Sequence, residues 1–237
     1  MQIIIPMSGF GERFKKAGYQ VPKPLILVEN KTIIQHVCEM FPGESNFTFI
    51  CNKDHLSDET YDMEEIIRSF CPSAKIHAIE PHNLGPVHAV MQCIDFVDDH
   101  EPTIVNYCDF TCDWSFESFK NFVQREDLDG AIPAYKGFHP HTLWSNYYAY
   151  LDIKNNFVSC IQEKTPFTDT PQDEYASSGT YYFKSGELMK KYFQKTIDLD
   201  LSVNQEFYVS MVYEPMIENG LKIKPFELPH FMQWGTP

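Results

Sequence analysis

Short, mostly apolar runs alternating with amphipathic stripes constrain the fold of this chain more than any other feature. Ile3–Ile5, Phe47–Cys51, Ile76–Ile79 and Thr103–Asn106 are too short for helices. They are also too continuously apolar for strands with one wet face, so they read as strands buried on both sides. Helical stripes lie between them: Ile33, Val37, Met40 and Phe41, then Met63, Ile66, Ile67 and Phe70, then Val87, Val90, Met91 and Ile94 with Pro86 in the first turn. This β-α-β-α order predicts an α/β fold: a Rossmann-like, mostly parallel mixed sheet flanked by helices on both faces. Such sheets bind ligands at the carboxyl ends of their strands.

Beyond about residue 130 the pattern changes. Ile132–Ala134, Tyr147–Leu151, Val158–Gln162 and Thr180–Phe183 are aromatic and β-branched, and predict an inserted, partly antiparallel β region. Helices are expected near Glu187–Phe193 and Phe207–Ile217. No linker, repeat or low-complexity tract interrupts the 237 residues. A single domain over 1–237 is therefore expected, divided near residue 130 into 1–130 and 131–237. The closing run Gln233-Trp234-Gly235-Thr236-Pro237 reads as a strand leading into a chain cut short.

The net charge of −14 makes nucleic acid and anionic membrane poor partners. Seven cysteines without a C-x-x-C pair, no signal-like start and no apolar run of spanning length read as reduced thiols in a cytoplasmic protein. Oligomeric state leaves no trace in the sequence.

Against that acidic background one segment is cationic. Pro6-Met7-Ser8-Gly9-Phe10-Gly11-Glu12-Arg13-Phe14 is followed by Pro22-Lys23-Pro24-Leu25, with Lys15, Lys16 and Lys31 nearby. A glycine-rich loop after the first strand lets backbone N–H groups approach a polyphosphate. Arg13 offers a planar donor fork and Lys23 a point charge between two prolines. A dinucleotide fingerprint needs glycine where Phe14 stands, with a helix opening there, and no helix is expected at this point. A P-loop needs Gly-Lys-Ser/Thr. A plain glycine turn with solvated lysines accounts for Gly9 and Gly11, but not for Arg13 with Pro22-Lys23-Pro24.

Gly9-x-Gly11-x-Arg13 followed by Pro22-Lys23-x-Leu25 resembles the nucleotidylyltransferase superfamily, which includes sugar-1-phosphate nucleotidylyltransferases and the phosphocholine cytidylyltransferases of bacterial surface polymers. The resemblance runs through nearly the whole chain. It implies a nucleotide-binding half and an acceptor-binding half, with Met7, Ser8, Gly9, Phe10 and Gly11 cradling the nucleotide. Arg13 would bind the triphosphate and stabilise departing pyrophosphate, and Lys23 would contact the α-phosphate and the incoming acceptor phosphate. Elementary chemistry agrees, because fixed cations cancel the repulsion between two phosphates.

Ile104–Asp109 ends a buried strand with a carboxylate, and magnesium takes one or two carboxylates plus substrate phosphates. Asp109 is therefore the expected Mg2+ ligand, as the resemblance also implies; the competing role is a cap for a helix over Trp114–Arg125. The family's second carboxylate precedes a C-terminal Gly-Thr, and here that place falls on Gln233. Three possibilities stay open: Asp113 substitutes, one carboxylate suffices, or the register differs.

Glu80-Pro81-His82-Asn83-Leu84-Gly85-Pro86 would read the nucleobase, with Glu80, Gly85 and Pro86 in contact. A carboxylate only accepts hydrogen bonds. If Glu80 faces the base, the amino group of cytosine is favoured and CTP is the expected donor. Glu163-Lys164 would hold the acceptor phosphate and Gly179 would wall the acceptor. Asn204–Tyr208 would cap the next helix nearby. His139 and His141, around Pro140, could bind a polar acceptor or be an ordinary loop. The runs Pro6–Phe14, Asn106–Phe110 and Gln233–Pro237 resemble capsule-type cytidylyltransferases. The expected reaction joins a nucleoside monophosphate to a phosphorylated small molecule such as phosphoglutamine, phosphocholine or a sugar phosphate. The rivals are a UTP- or dTTP-dependent sugar-1-phosphate enzyme, a nucleotide-sugar glycosyltransferase and a non-catalytic nucleotide-binding paralogue.

Overall fold

A computed structural model describes residues 1–139 and 146–237. His141 lies outside the described residues. The four apolar runs form β1 (Gln2–Met7), β4 (Phe47–Asn52), β5 (Lys75–Ile79) and β6 (Thr103–Asn106). They are all parallel, with Ile3 opposite Phe47 on one side and Ile104 on the other. Alternate residues of one strand serve different cores: Ile3, Ile5 and Met7 pack on one face and Ile4 on the other. That burial on both faces is why β1, β4 and β6 carry little polar alternation; β5, expected to be buried on both sides, is the sheet edge and only its Ile79 is buried.

The first face is covered by α2 (Ile33–Glu39), α4 (Met63–Phe70) and α6 (Phe116–Arg125), and the second by α5 (Gly85–Met91), α7 (Gly186–Asp198) and α8 (Tyr213–Glu218). Thr32, Ser115 and Ser185 cap α2, α6 and α7 through their side-chain oxygens. Because Ser115 takes the cap of α6, Asp109 is not spent there.

The sheet continues past β6 through β12 (Thr180–Phe183), β8 (Gly130–Tyr135), β11 (Tyr175–Ser177), β9 (Ala149–Lys154) and β10 (Phe157–Glu163), with β13 (Ile223–Glu227) also on β8. β10, β11 and β12 run against the rest, so the sheet is mixed and mostly parallel, as expected. Four further features depart from the sequence reading. A short helix, α1 (Glu12–Lys16), does open after Gly11, which sits at φ +67° as its cap. The helix expected over Phe207–Ile217 is instead a 3-10 turn, Ser210–Val212, running into α8. Asn204 and Gln205 do not cap it: both have positive φ and form a tight turn bridged by Val203 and Glu206. A separate antiparallel pair, β7 (Phe110–Asp113) with β14 (His230–Gln233), was not anticipated. The remaining small elements are the hairpin β2 (Leu27–Val28) with β3 (Lys31–Thr32), and α3 (Lys53–Ser57). No helix among the described residues is long and apolar enough to cross a membrane, and all seven cysteines are free thiols.

Candidate active site

β1 has β4 on one side and β6 on the other. The chains leaving β1 and β6 therefore diverge at their carboxyl ends and open a crevice. A cleft of about 450 Å³ lies there, within the range of small-molecule sites. Its walls include Met7, Ser8, Gly9, Phe10, Gly11 and Arg13 after β1, and Gly85 and Pro86 at the start of α5. Asp109 follows β6, and Glu163, Lys164 and Gly179 come from the second half. Nearly every site residue nominated from the sequence thus converges on one cavity, across up to 172 positions of chain.

The floor is an ion pair. Lys23 Nζ lies 2.7 Å from Asp109 Oδ2, with both side chains about a quarter exposed. Lys23 opens a 3-10 turn between Pro22 and Pro24, so its backbone has little freedom. Burial disfavours its charge, but the Asp109 carboxylate and the Cys108 thiol outweigh burial and hold the ammonium above its ordinary range. Lys23 is thus half-buried. Arg13, on α1, lays its guanidinium over the Tyr147 ring at 4.9 Å, a cation–π seat that leaves its N–H groups for an anion.

The C-terminal strand completes the floor. The β7–β14 register sets Gln233 opposite Phe110. Trp234 N–H then donates to the Asp109 carbonyl at 2.7 Å, and a Cβ on Gly235 would stand 3.0 Å from Asp109 Oδ2. Gln233 therefore does occupy the place beside Asp109, and its Oε1 accepts from Tyr148 OH at 2.7 Å. Asp113 does not substitute: it is exposed at the far end of β7, opposite His230. Among the described residues no three His, Cys, Asp or Glu side chains gather as a metal cage. The donor set of one carboxylate and one amide oxygen fits a magnesium ion that takes its remaining oxygens from phosphates and water.

Gly85 has φ +85°, and a Cβ there would lie 2.6 Å from Phe207 N and 2.8 Å from Phe207 O. The close approach permits two backbone hydrogen bonds, Phe207 N–H to Leu84 O at 2.9 Å and Val87 N–H to Phe207 O at 3.1 Å. Gly179, at φ +102°, has no room for a side chain: a Cβ there would stand 3.0 Å from the Phe110 ring and 3.2 Å from the Tyr107 ring. Lys164 Nζ donates to Tyr208 OH, which in turn donates to Glu206. Glu163 is buried, and its Oε2 accepts from Ser210 Oγ at 2.6 Å. Burial pushes its carboxyl up to about 7 against the opposing pull of Ser210 and Lys164.

Two nominated residues stand elsewhere. Glu80 is exposed and pairs with Lys53 on the outer face of the β5 edge, not in the cleft. His139 packs on the Tyr135 and Phe231 rings, outside the cleft lining. Conversely, Tyr107, Tyr147, Tyr148, Tyr208, His82 and Asn83 line the cleft without having been singled out. Aromatic residues flanking strand ends were the available signal, but core positions carry the same signal.

A model of the nucleotidyl transferase family matches residues 2–214. The bifunctional protein GlmU of Lactobacillus johnsonii is 22% identical over 231 residues, covering 98% of this chain and 47% of that protein. The chain thus spans about half the length or less of the first curated relatives it matches. The nucleoside-diphosphate-sugar pyrophosphorylase of Vibrio cholerae RC9 superposes with a TM-score of 0.77 at 20% identity, covering 100% of this chain and 96% of that one. The inositol-1-phosphate CTP transferase of T. maritima gives 0.73 at 14% identity, covering 100% and 89%. At these identities the two solved structures establish a shared fold.

Proposed function

Because this chain belongs to the nucleotidyl transferase family, we propose that it transfers a nucleoside monophosphate from a nucleoside triphosphate to a small phosphorylated acceptor, releasing pyrophosphate. The observation that carries this reading is the grouping of Arg13, Lys23 and Lys164 around one cleft whose floor is Asp109. An oxygen of the acceptor phosphate attacks the α-phosphorus, a new P–O bond forms, and the bond to the β-phosphate oxygen breaks. Both partners are anionic, so fixed cations must cancel their repulsion as they meet. Lys23 stands at the α-phosphate, Arg13 gathers the departing pyrophosphate, and Lys164 orients the acceptor. Asp109, with the Gln233 amide oxygen, would hold a magnesium ion that neutralises phosphate charge when bound.

The first half, about 1–130, holds the nucleotide, and the second, about 131–237, the acceptor. CTP is the proposed donor, on the resemblance of Pro6–Phe14 and Gln233–Pro237 to capsule-type cytidylyltransferases. Since Glu80 faces away from the cleft, base reading falls to the backbone around Gly85 and to His82 and Asn83. The proposed acceptors are phosphoglutamine, phosphocholine and sugar phosphates, with the product used in surface-polymer synthesis, and the free thiols suit a cytoplasmic setting. Gln233 in the place of a second carboxylate favours one alternative, a protein that binds nucleotide without turnover. Pyrophosphate release from CTP, UTP, dTTP, ATP and GTP, each offered with these acceptors, tests both. Release with CTP supports the transferase, preference for UTP or dTTP overturns the donor, and nucleotide binding without release supports the alternative. Release of nucleoside diphosphate from an added nucleotide sugar, with no pyrophosphate from any triphosphate, would instead indicate a glycosyltransferase.

A further inference from the structure

Lys23 and a metal ion make competing claims on Asp109. The Lys23 ammonium lies 2.7 Å from Oδ2, while magnesium binds carboxylate oxygens at about 2.1 Å. A divalent cation on either oxygen of Asp109 would stand beside that ammonium and share the one negative charge that now pairs it. Trp234 N–H ties the Asp109 backbone to the C-terminal segment at 2.7 Å.

We propose that Lys23 is an internal counter-ion for the metal position, and that metal entry is an exchange. The ammonium leaves Asp109 for a phosphate oxygen as the cation arrives with the triphosphate. The proposal rests on the assignment of Asp109 as metal ligand. Without triphosphate, a divalent cation at Asp109 would strand the half-buried Lys23 ammonium beside it and close to Arg13, with no anion to take its charge. A triphosphate supplies that anion, so the exchange conserves charge pairing at every group. Pro22 and Pro24 hold the backbone, so the exchange needs only rotation about the lysine side chain. The metal is thereby held only weakly until nucleotide is present, and Lys23 moves to the phosphates as the metal is seated.

The test is Mn2+ binding to the full chain, read as loss of free-ion EPR signal, with thermal unfolding to verify the fold of each variant. Wild type should bind Mn2+ alone weakly, and Lys23→Met should bind it at least 10-fold more tightly. The gain should vanish in the double variant Lys23→Met/Asp109→Asn. Unchanged affinity in Lys23→Met overturns the exchange, as does a gain that persists in the double variant. Mn2+-dependent CTP binding by Asp109→Asn separates the two levels. If it is lost while Lys23→Met shows no gain, the metal assignment stands and the exchange alone fails. If Asp109→Asn retains it, both fail.

Discussion

Replacing Glu163 by glutamine should reshape how stability depends on pH. The Glu163 side chain is buried, and Ser210 Oγ donates to its Oε2 at 2.6 Å. Desolvation is the largest influence, and it pushes the carboxyl up to about 7 from an ordinary 4.5. Between those values the folded chain holds a proton that the unfolded chain has lost. Unfolding therefore becomes easier as pH rises through this window and levels off above about 7. At about 1.4 kcal/mol for each tenfold step in proton affinity, the full window is worth about 3 kcal/mol. Glutamine keeps an oxygen for Ser210 but cannot ionise. The stability of Glu163→Gln relative to wild type should thus climb by about 3 kcal/mol between pH 4.5 and pH 8, with most of the climb done by pH 7. Urea unfolding of both proteins at half-unit intervals reads this directly, and taking the difference cancels every other titrating group. A difference flat with pH to within about 0.5 kcal/mol would show that Glu163 is not held near neutrality.

Gly85→Ala forces a Cβ into Phe207 at 2.6 Å and a side chain into φ +85°; it should cost about 2–4 kcal/mol in thermal unfolding and weaken CTP binding, and an unchanged melting temperature would contradict the close approach. Asp109→Asn preserves shape and should lower pyrophosphate release by about 100-fold or more with little change in melting temperature, so retained activity would remove Asp109 from the mechanism. Tyr208→Phe keeps the ring under Lys164, at 4.3 Å, but deletes the hydroxyl linking Lys164 to Glu206; steady-state kinetics should show acceptor KM raised about tenfold with kcat changed less. Gln233→Glu should place a second carboxylate beside Asp109 and tighten Mn2+ binding in the presence of CTP by about tenfold, read by EPR.

The central parallel strands were legible because burial on both faces leaves a distinctive trace: Ile3–Ile5 and Thr103–Asn106 are buried at every position and centre on β-branched apolar residues. Asp109 was legible for a related reason, as the first carboxylate after such a strand. Glu80 follows β5 in the same way, yet β5 is the sheet edge. Ile79 turns inward, and the next side chain turns out to solvent and Lys53. Strand order decides that, and a local pattern cannot give strand order. The apolar stripe Val209, Val212, Tyr213 and Met216 is real, for all four are buried. It spans a 3-10 turn and a helix because Phe207 is already pinned to Leu84 and Val87. The β7–β14 pair escaped notice because its strands are separated by more than a hundred residues and one of them, Phe110–Asp113, holds only four. Tyr148 and Tyr208 belong to the site through partners 85 and 44 residues away.

That late pairing bears on how the site works. Asp109 leaves β6 at a point where the sheet no longer supports it, and a carboxylate on a free loop would lose its aim. β14 returns alongside β7 and supplies what the sheet does not: a backbone donor on the Asp109 carbonyl, a glycine against its carboxylate, and the Gln233 oxygen held by Tyr148. Trp234 braces this segment against the His36 ring of α2 at 5.1 Å, so the support reaches into the helices over the first core. A side chain at Gly235 would press on Oδ2, since a Cβ there would stand 3.0 Å from it. The aim of the carboxylate is therefore set from the carboxyl-terminal strand, while its partner Lys23 is set from the amino-terminal loop. The proposed chemistry at Asp109 would therefore draw on the glycine-loop segment that carries Lys23 and on the β14 segment together.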